Sequence, residues 1–381
     1  MENYEEELER ELKNSINSFT QRISQQLDIK LNEFEQNISK QIDEYLKPSL
    51  KKMNEKSQNI LYHTNSILDY ILICLSNIKP LVSFILGNKR KELQKKINQK
   101  NPNNFFNLFV DLFTHLWFKK EDYDAINIHK IMHSIEKDIY KSTNPGKIIS
   151  FLLSKLHDEL NFNNDINNEN NIDYIDRIDK KKVSEAFKIS SEKNKTDISK
   201  IFFNNYRIKK RCSVCHSTNI YYFEKKPIID LYIQENKNNI EESNLSLSKN
   251  YNFLLNDYID REDFCPGCEY LQKMIINNRI ESYDNDILII NINRESDINH
   301  KKYIYILKEL KFDDNIKTLT YRLFSVLNKN YNEKEQSYNF YCKNFNNDIW
   351  YIYNKNGVKL VENKNDILDG NKALLLVYKR I

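Results

Sequence analysis

A chain of 381 residues is long enough to bury a large core and to hold two or three subdomains. Its formal net charge of +4 is spread over both signs, and no Lys/Arg block reads as a nucleic-acid groove, so no direct contact with nucleic acid is expected. The acidic start has no early apolar run, so no signal peptide is expected, and an intracellular protein of the cytoplasm, the nucleus or both is expected.

Asn, Lys and Ile are abundant while Gly is scarce, a pattern of coding bias, so the Asn runs are expected to carry little functional information. Residues 1–56 read as one long amphipathic helix with a stripe from Leu8 and Leu12 through Leu27 and Phe34 to Leu46. The mean step of that stripe lies slightly above the straight-helix value, so any supercoil is weak or right-handed. The stripe has to be covered by a protein partner, a second copy or the chain's own globular part.

Between Asn59 and Leu86, Ile67, Leu68, Ile71, Leu72 and Leu75 repeat at helical spacing, which predicts a core helix from about Asn65 to Ser76. A turn at Asn77–Pro80 and a second apolar segment follow. Asp69, Asn77, Lys79 and Pro80 interrupt this stretch, so it is not expected to span a membrane. Gly87–Asn104 reads as a loop plus a solvated helix, and Phe105–Trp117 as a buried helix. Ile126–Tyr140 reads as a helix with His129 and His133 one turn apart. Lys130 stands where a metalloprotease helix needs its general-base Glu, so the two His are ordinary helix residues. Lys147–Leu160 follows the Asn144-Pro145-Gly146 turn as another helix. The polar, Asn-rich stretch from Asn161 to about Lys200 reads as a loop or insertion.

Cys212-Ser-Val-Cys215 and Cys265-Pro-Gly-Cys268 are two C-x-x-C knuckles among six Cys in all. Two thiolates from each knuckle complete a tetrahedral four-thiolate zinc site with no open position, which makes the metal structural rather than catalytic. The long gap between the pairs requires the intervening strands to double back. Redox pairs are the alternative, but in a reducing compartment paired Cys favour metal over disulfides. From Met274 onward the pattern is one of strands, with Asp286–Arg294, Thr320–Leu327 and Ala373–Arg380 the clearest.

Several of these segments carry a resemblance. Cys74-Leu75-Ser76-Asn77-Ile78-Lys79-Pro80-Leu81 resembles the segment that follows the nucleophile in ubiquitin-specific proteases. Gln336-Ser337-Tyr338, Trp350-Tyr351-Ile352-Tyr353-Asn354 and Ala373–Arg380 follow the closing strand order of that family. The resemblance covers roughly residues 59–381. It implies an α+β, papain-type fold with a helical thumb (57–200), zinc-bearing fingers (201–285) and a β palm (286–381), preceded by the long helix 1–56.

Carried over residue by residue, the resemblance puts Ser66 at the nucleophile position, Ser337 at the general-base His position and Asn354 at the third triad position. Leu61 stands where the family commonly has an oxyanion-supporting Asn, and Gln336 where it has Gly. Lys147 and Ser150 stand where the family has an Asp and a Glu that help to hold the basic ubiquitin tail. A Ser–Ser pair has no group titrating near neutral pH. Cys74 lies too far along a buried helix to replace the nucleophile, and Cys342 reads as a core residue. The resemblance therefore implies an inactive pseudo-deubiquitinase serving as a binding or scaffold module, with contact to ubiquitin or a ubiquitinated protein weakened. Two alternatives stand beside it. One is an active cysteine-type deubiquitinase, and the other is a scaffold like the inactive USP-like component of the spliceosomal tri-snRNP, which also has Ser at the palm His position.

Overall fold

The structure, a computed structural model, describes residues 66–101, 104–117, 137–162, 195–216, 219–232, 245–246, 258–265, 267–282, 285–294, 304–314, 317–330, 337–344 and 349–381, together with Gln26. The expected helix over 1–56 otherwise lies outside the described residues, as do Leu61, His129, His133 and Gln336. Residues 1–52 and 53–381 form two compact units, and everything below concerns the second.

The helical part begins with α1 (Ile67–Ser76), whose ten residues are all buried. Its apolar side chains surround the helix, so it is a core helix rather than a surface one. Asn77 caps its C-terminus, with Nδ2 donating to the Ile73 carbonyl at 2.9 Å. Pro80 sits in the first turn of α2 (Lys79–Leu86), where its missing N–H costs nothing. The 78° bend between α1 and α2 breaks the apolar stretch, and among the described residues no single helix is long and apolar enough to cross a membrane.

The helices α3 (Arg90–Lys100), α4 (Phe105–Trp117), α5 (Lys137–Tyr140) and α6 (Pro145–Leu160) follow. The two carboxylate oxygens of Glu159 on α6 accept the N–H groups of Phe105 and Phe106, each at 2.9 Å, and so satisfy the first turn of α4. Burial raises the Glu159 carboxyl above the usual range, and the two backbone donors work against that rise. A short helix, α7 (Asp197–Phe202), occupies the end of the polar stretch expected to be a loop. Thr196 caps it reciprocally with Ser199, and Ile198, Ile201 and Phe202 are buried. Its polar cap chemistry, and not an apolar run, marks its start.

Two sheets carry most of the rest. The first is antiparallel, in the order β2-β1-β6-β5, built from β1 (Asn204–Cys212), β2 (Asn219–Lys226), β5 (Tyr258–Cys265) and β6 (Tyr270–Ser282). The second holds β3 (Ile229–Tyr232), β7 (Ile287–Asn293), β9 (Glu309–Asp314), β10 (Lys317–Asn330), β11 (Ser337–Lys343), β12 (Trp350–Asn354), β13 (Gly357–Leu360) and β14 (Ala373–Arg380). Its path runs β13-β12-β11-β10-β14-β7-β3, with β9 paired to the first half of β10. The parallel pairing of β3 with β7 ties the segment after the first sheet's opening hairpin into the larger sheet. A two-stranded ladder joins β4 (Leu245–Ser246) to β8 (Ile304–Tyr305). The central strands β7 and β14 are almost wholly buried and form the core with β10.

One close approach fixes the helices against the larger sheet. The Gly146 N–H at the start of α6 donates to Asn291 Oδ1 of β7 at 3.1 Å, and Asn291 Nδ2 donates to Asp230 of β3 at 2.7 Å. A Cβ at Gly146 would lie 2.3 Å from Asn291 Cγ, so the contact needs glycine.

Candidate active site and metal centre

Ser66 is the N-cap of α1, where a hydroxyl next to a helical apolar run satisfies an orphan backbone donor. Its Oγ donates to Asp69 Oδ2 at 2.9 Å and accepts the Asp69 N–H at 3.3 Å, while the Ser66 N–H donates to the same carboxylate at 3.0 Å. This is a closed capping box, and Asp69 is fully buried. One turn on, the Tyr70 hydroxyl donates to the Tyr338 carbonyl at 3.4 Å, and its ring packs on Tyr338 and Phe340. The elements carrying positions 66 and 337 therefore meet within a turn of both.

Ser337 is buried at the start of β11. The hydrogen bonds around it form a one-way relay across three strands. Asn354 Nδ2 donates to Asn339 Oδ1 at 3.3 Å, Asn339 Nδ2 to Asn330 Oδ1 at 3.2 Å, and Asn330 Nδ2 to Ser337 Oγ at 3.1 Å. Asn354 Oδ1 accepts the Asn356 N–H at 2.9 Å. Asn354 thus reaches Ser337 through two amides. Amides neither gain nor lose a proton near neutral pH, so the relay orients groups without moving charge. Sequence reasoning missed Asn330 and Asn339. Their place follows from the pairing of β10 with β11 and of β11 with β12, which no local motif announces.

The two thiols near this region are core residues. Cys74 is fully buried, lies 3.2 Å from Ser325 Oγ, and is pushed up to about 12 by burial, with the Ser325 hydroxyl working the other way. Burial and then the neighbouring Cys74 raise Cys342 well above the usual thiol range. Thiols held protonated in this way are poor nucleophiles.

Lys147 is exposed in the first turn of α6, where Asn144 Oδ1 accepts the Gly146 and Lys147 N–H groups at 2.9 and 3.3 Å. Ser150 follows one turn later and is half-buried.

At the far end of the first sheet the Sγ atoms of Cys212, Cys215, Cys265 and Cys268 all lie within 4.8 Å of one another. Two S–S distances, Cys212–Cys268 at 3.8 Å and Cys215–Cys265 at 3.6 Å, can be set against a tetrahedron. A zinc ion with Zn–S bonds of about 2.3 Å needs sulfur–sulfur edges of about 3.8 Å. Each pair turns back through a left-handed residue just after its second Cys, His216 at φ 54° and Glu269 at φ 61°. The Val214 N–H donates to Cys212 Sγ at 3.4 Å, a bond that suits a thiolate. Desolvation, followed by its own hydrogen bonds with the Cys215, Cys265 and Cys212 thiols, pushes Cys268 up to about 12. Four thiolates this close need a cation between them, and the donor set fits zinc in a closed, structural role.

The match to known proteins follows the same span. Residues 62–378 match the model of the family described as ubiquitin carboxyl-terminal hydrolase. The chain belongs to that family. Among curated proteins, no sequence matches it significantly. Among solved structures, a chain of the yeast SAGA DUB module with a mutant Sgf73 aligns at TM-score 0.56 and 14% identity, covering 83% of this chain and 66% of that one. A chain of the SAGA Ubp8/Sgf11/Sus1/Sgf73 DUB module bound to ubiquitin aldehyde aligns at TM-score 0.52 and 14% identity, covering 83% and 67%. This hydrolase-family chain thus spans about two thirds of each neighbour's length. At such identity the likeness speaks to the fold, which is the mixed helix-and-sheet architecture expected from the resemblance.

Proposed function

We propose that this chain is a catalytically inactive member of the ubiquitin carboxyl-terminal hydrolase family that serves as a binding or scaffold module. The observation that carries the reading is the state of the two hydroxyls at the nucleophile and base positions. Ser66 Oγ is committed to the Asp69 capping box, and Ser337 Oγ ends an amide relay. Acyl transfer needs an activated nucleophile and a base that can take its proton. A carboxylate is a weaker base than imidazole, and the relay supplies no base at all.

The fingers are proposed to be held by structural zinc on Cys212, Cys215, Cys265 and Cys268. The division into an N-terminal helix (1–56), thumb (57–200), fingers (201–285) and palm (286–381) is kept as part of the proposal, with the helix offered to a protein partner. Solved relatives of this fold were captured with ubiquitin aldehyde and with monoubiquitin, which supports a residual ubiquitin contact. Lys147 opposes the Arg-bearing ubiquitin tail, and like charges at an interface select against a partner. The test is incubation of the purified chain with a fluorogenic ubiquitin-amide substrate and with thiol- and hydroxyl-reactive ubiquitin probes. No turnover and no label at Ser66 are expected.

A further inference from the structure

The helix α3 carries more positive charge than its place in the fold explains. From Lys89 to Lys100, six cations stand against Glu92 alone, a surplus of five that exceeds the +4 of the whole chain. Only Ile97 of α3 is buried, and no exposed position of the helix is apolar. The charge pattern works against the helix that bears it. Lys89, Arg90 and Lys91 sit at its N-terminal end, where the macrodipole favours anions. Lys91 and Lys95 lie one turn apart, as do Lys96 and Lys100, and like charges at that spacing destabilise a helix. Lys96 is offset by Glu92 at 2.7 Å, and Lys96 and Lys100 also stand 6.0 and 5.5 Å from the centre of the half-buried Phe162 ring. Among the described residues, Lys89, Arg90, Lys91 and Lys95 form no ion pair. Of the acidic groups on the helices packed against α3, Glu159 is committed to the first turn of α4, and neither Asp111 nor Asp158 pairs with α3. In the sequence Glu92–Gln94 and Ile97–Gln99 divide these cations, and winding them into a helix gathers them into rows.

We propose that the exposed face of α3 binds the phosphate backbone of duplex nucleic acid without reading its sequence. Phosphates neutralised by Lys and Arg supply the affinity of such contacts, which need no group aimed at a base edge. An acidic protein is a weaker fit. Protein interfaces gather aromatic residues, Met and Arg at their core and are depleted in Lys, whereas this face offers Lys and no apolar anchor. A lipid surface fits poorly for a related reason. An interfacial helix lays large apolar side chains into the acyl boundary, and Ile97 of α3 is instead buried within the protein. A single strand needs rings on which successive bases stack. Phe162 is one half-buried ring, already faced by Lys96 and Lys100. The helix α3 ends beside Phe162, just past α6 and roughly 20 Å along that helix from Lys147. Binding there is therefore independent of the state of the Ser66 and Ser337 positions.

The test uses the full chain as purified and a fluorescein-labelled DNA duplex of mixed sequence, followed by anisotropy across a salt series. The expected result is saturable binding that weakens steeply with salt and is alike on duplexes of different sequence. Lys91→Gln/Lys95→Gln places a good helix former at two exposed positions, so the helix is kept. This variant is expected to bind about tenfold more weakly at low salt, with the log–log salt slope reduced by about two, one for each lost phosphate contact. Removing the same charge elsewhere, with Lys359→Gln/Lys364→Gln at and after β13, is expected to change affinity by less than about twofold. Absence of duplex binding, unchanged binding by the α3 variant, or an equal loss in the two variants overturns the proposal. Tighter binding of polyglutamate or of phosphatidylserine vesicles than of the duplex also overturns it, and gives the face to an acidic protein or a lipid surface.

Discussion

At the residue scale, Ser66 is best explained by the helix it starts. Its hydroxyl and Asp69 satisfy the first turn of α1 reciprocally, so Ser66→Ala is expected to destabilise the fold by about 1 kcal/mol. Chemical denaturation checks this, and a nucleophile would instead show its loss in turnover. Gly146→Ala is expected to cost about 1–3 kcal/mol, because the new Cβ displaces Asn291 from its bonds to Gly146 and Asp230. Pairing it with Asn291→Ser makes room and should recover part of the loss. His157 gives a pH-dependent case. Its Nδ1 lies 2.7 Å from Thr196 Oγ1, and its ring packs 4.9 Å from Phe203. Burial, helped by Lys225 and opposed by Asp158, lowers it below 6.5. The unfolded chain then binds the proton first, so stability is complete above about pH 6.5 and declines as pH falls through that value. Glu159, raised by burial, gives the opposite slope from about pH 4.5 upwards. A denaturation series of wild type against His157→Gln separates the two, and the variant is expected to lose the decline below pH 6.5.

At the element scale, the cysteine knuckles make the sharpest prediction. Purified protein should carry about one zinc per chain, bound at the four Cys. Cys265→Ser should release it and open the first sheet to protease while the buried helix α1 stays protected. Metal-free protein with an intact first sheet would contradict this. These elements also show what was legible in advance. The helix α1 follows from five apolar residues at helical spacing, and the knuckles follow from two C-x-x-C pairs. The helix α7 was not legible, because its buried face is three residues within a polar stretch and its start rests on the Thr196–Ser199 cap. The Asn330–Asn339–Asn354 relay was hidden for a different reason. Asn is so abundant in this chain that no single one stands out, and only strand register brings these three together.

At the scale of the whole molecule, the family's architecture is present, while the proposed reading puts serine at two of the three triad positions. A fold does not fix an activity, so the function has to be read from those positions. If the groove had kept its selectivity, Ser66→Cys with Ser337→His should restore hydrolysis. The proposed account expects this double variant to remain inactive, because Asn354, the partner a new imidazole needs, already gives its Nδ2 to Asn339 and accepts the Asn356 N–H at its Oδ1. The same account sets the exposed Lys147 against an Arg-bearing ubiquitin tail. Lys147→Asp should accordingly tighten ubiquitin binding in a titration against wild type. The most direct measurement is hydrolysis of a fluorogenic ubiquitin-amide substrate by the wild-type chain, with Ser66→Ala alongside. The account predicts that both proteins are indistinguishable from buffer, whereas turnover by wild type that disappears in Ser66→Ala would contradict it.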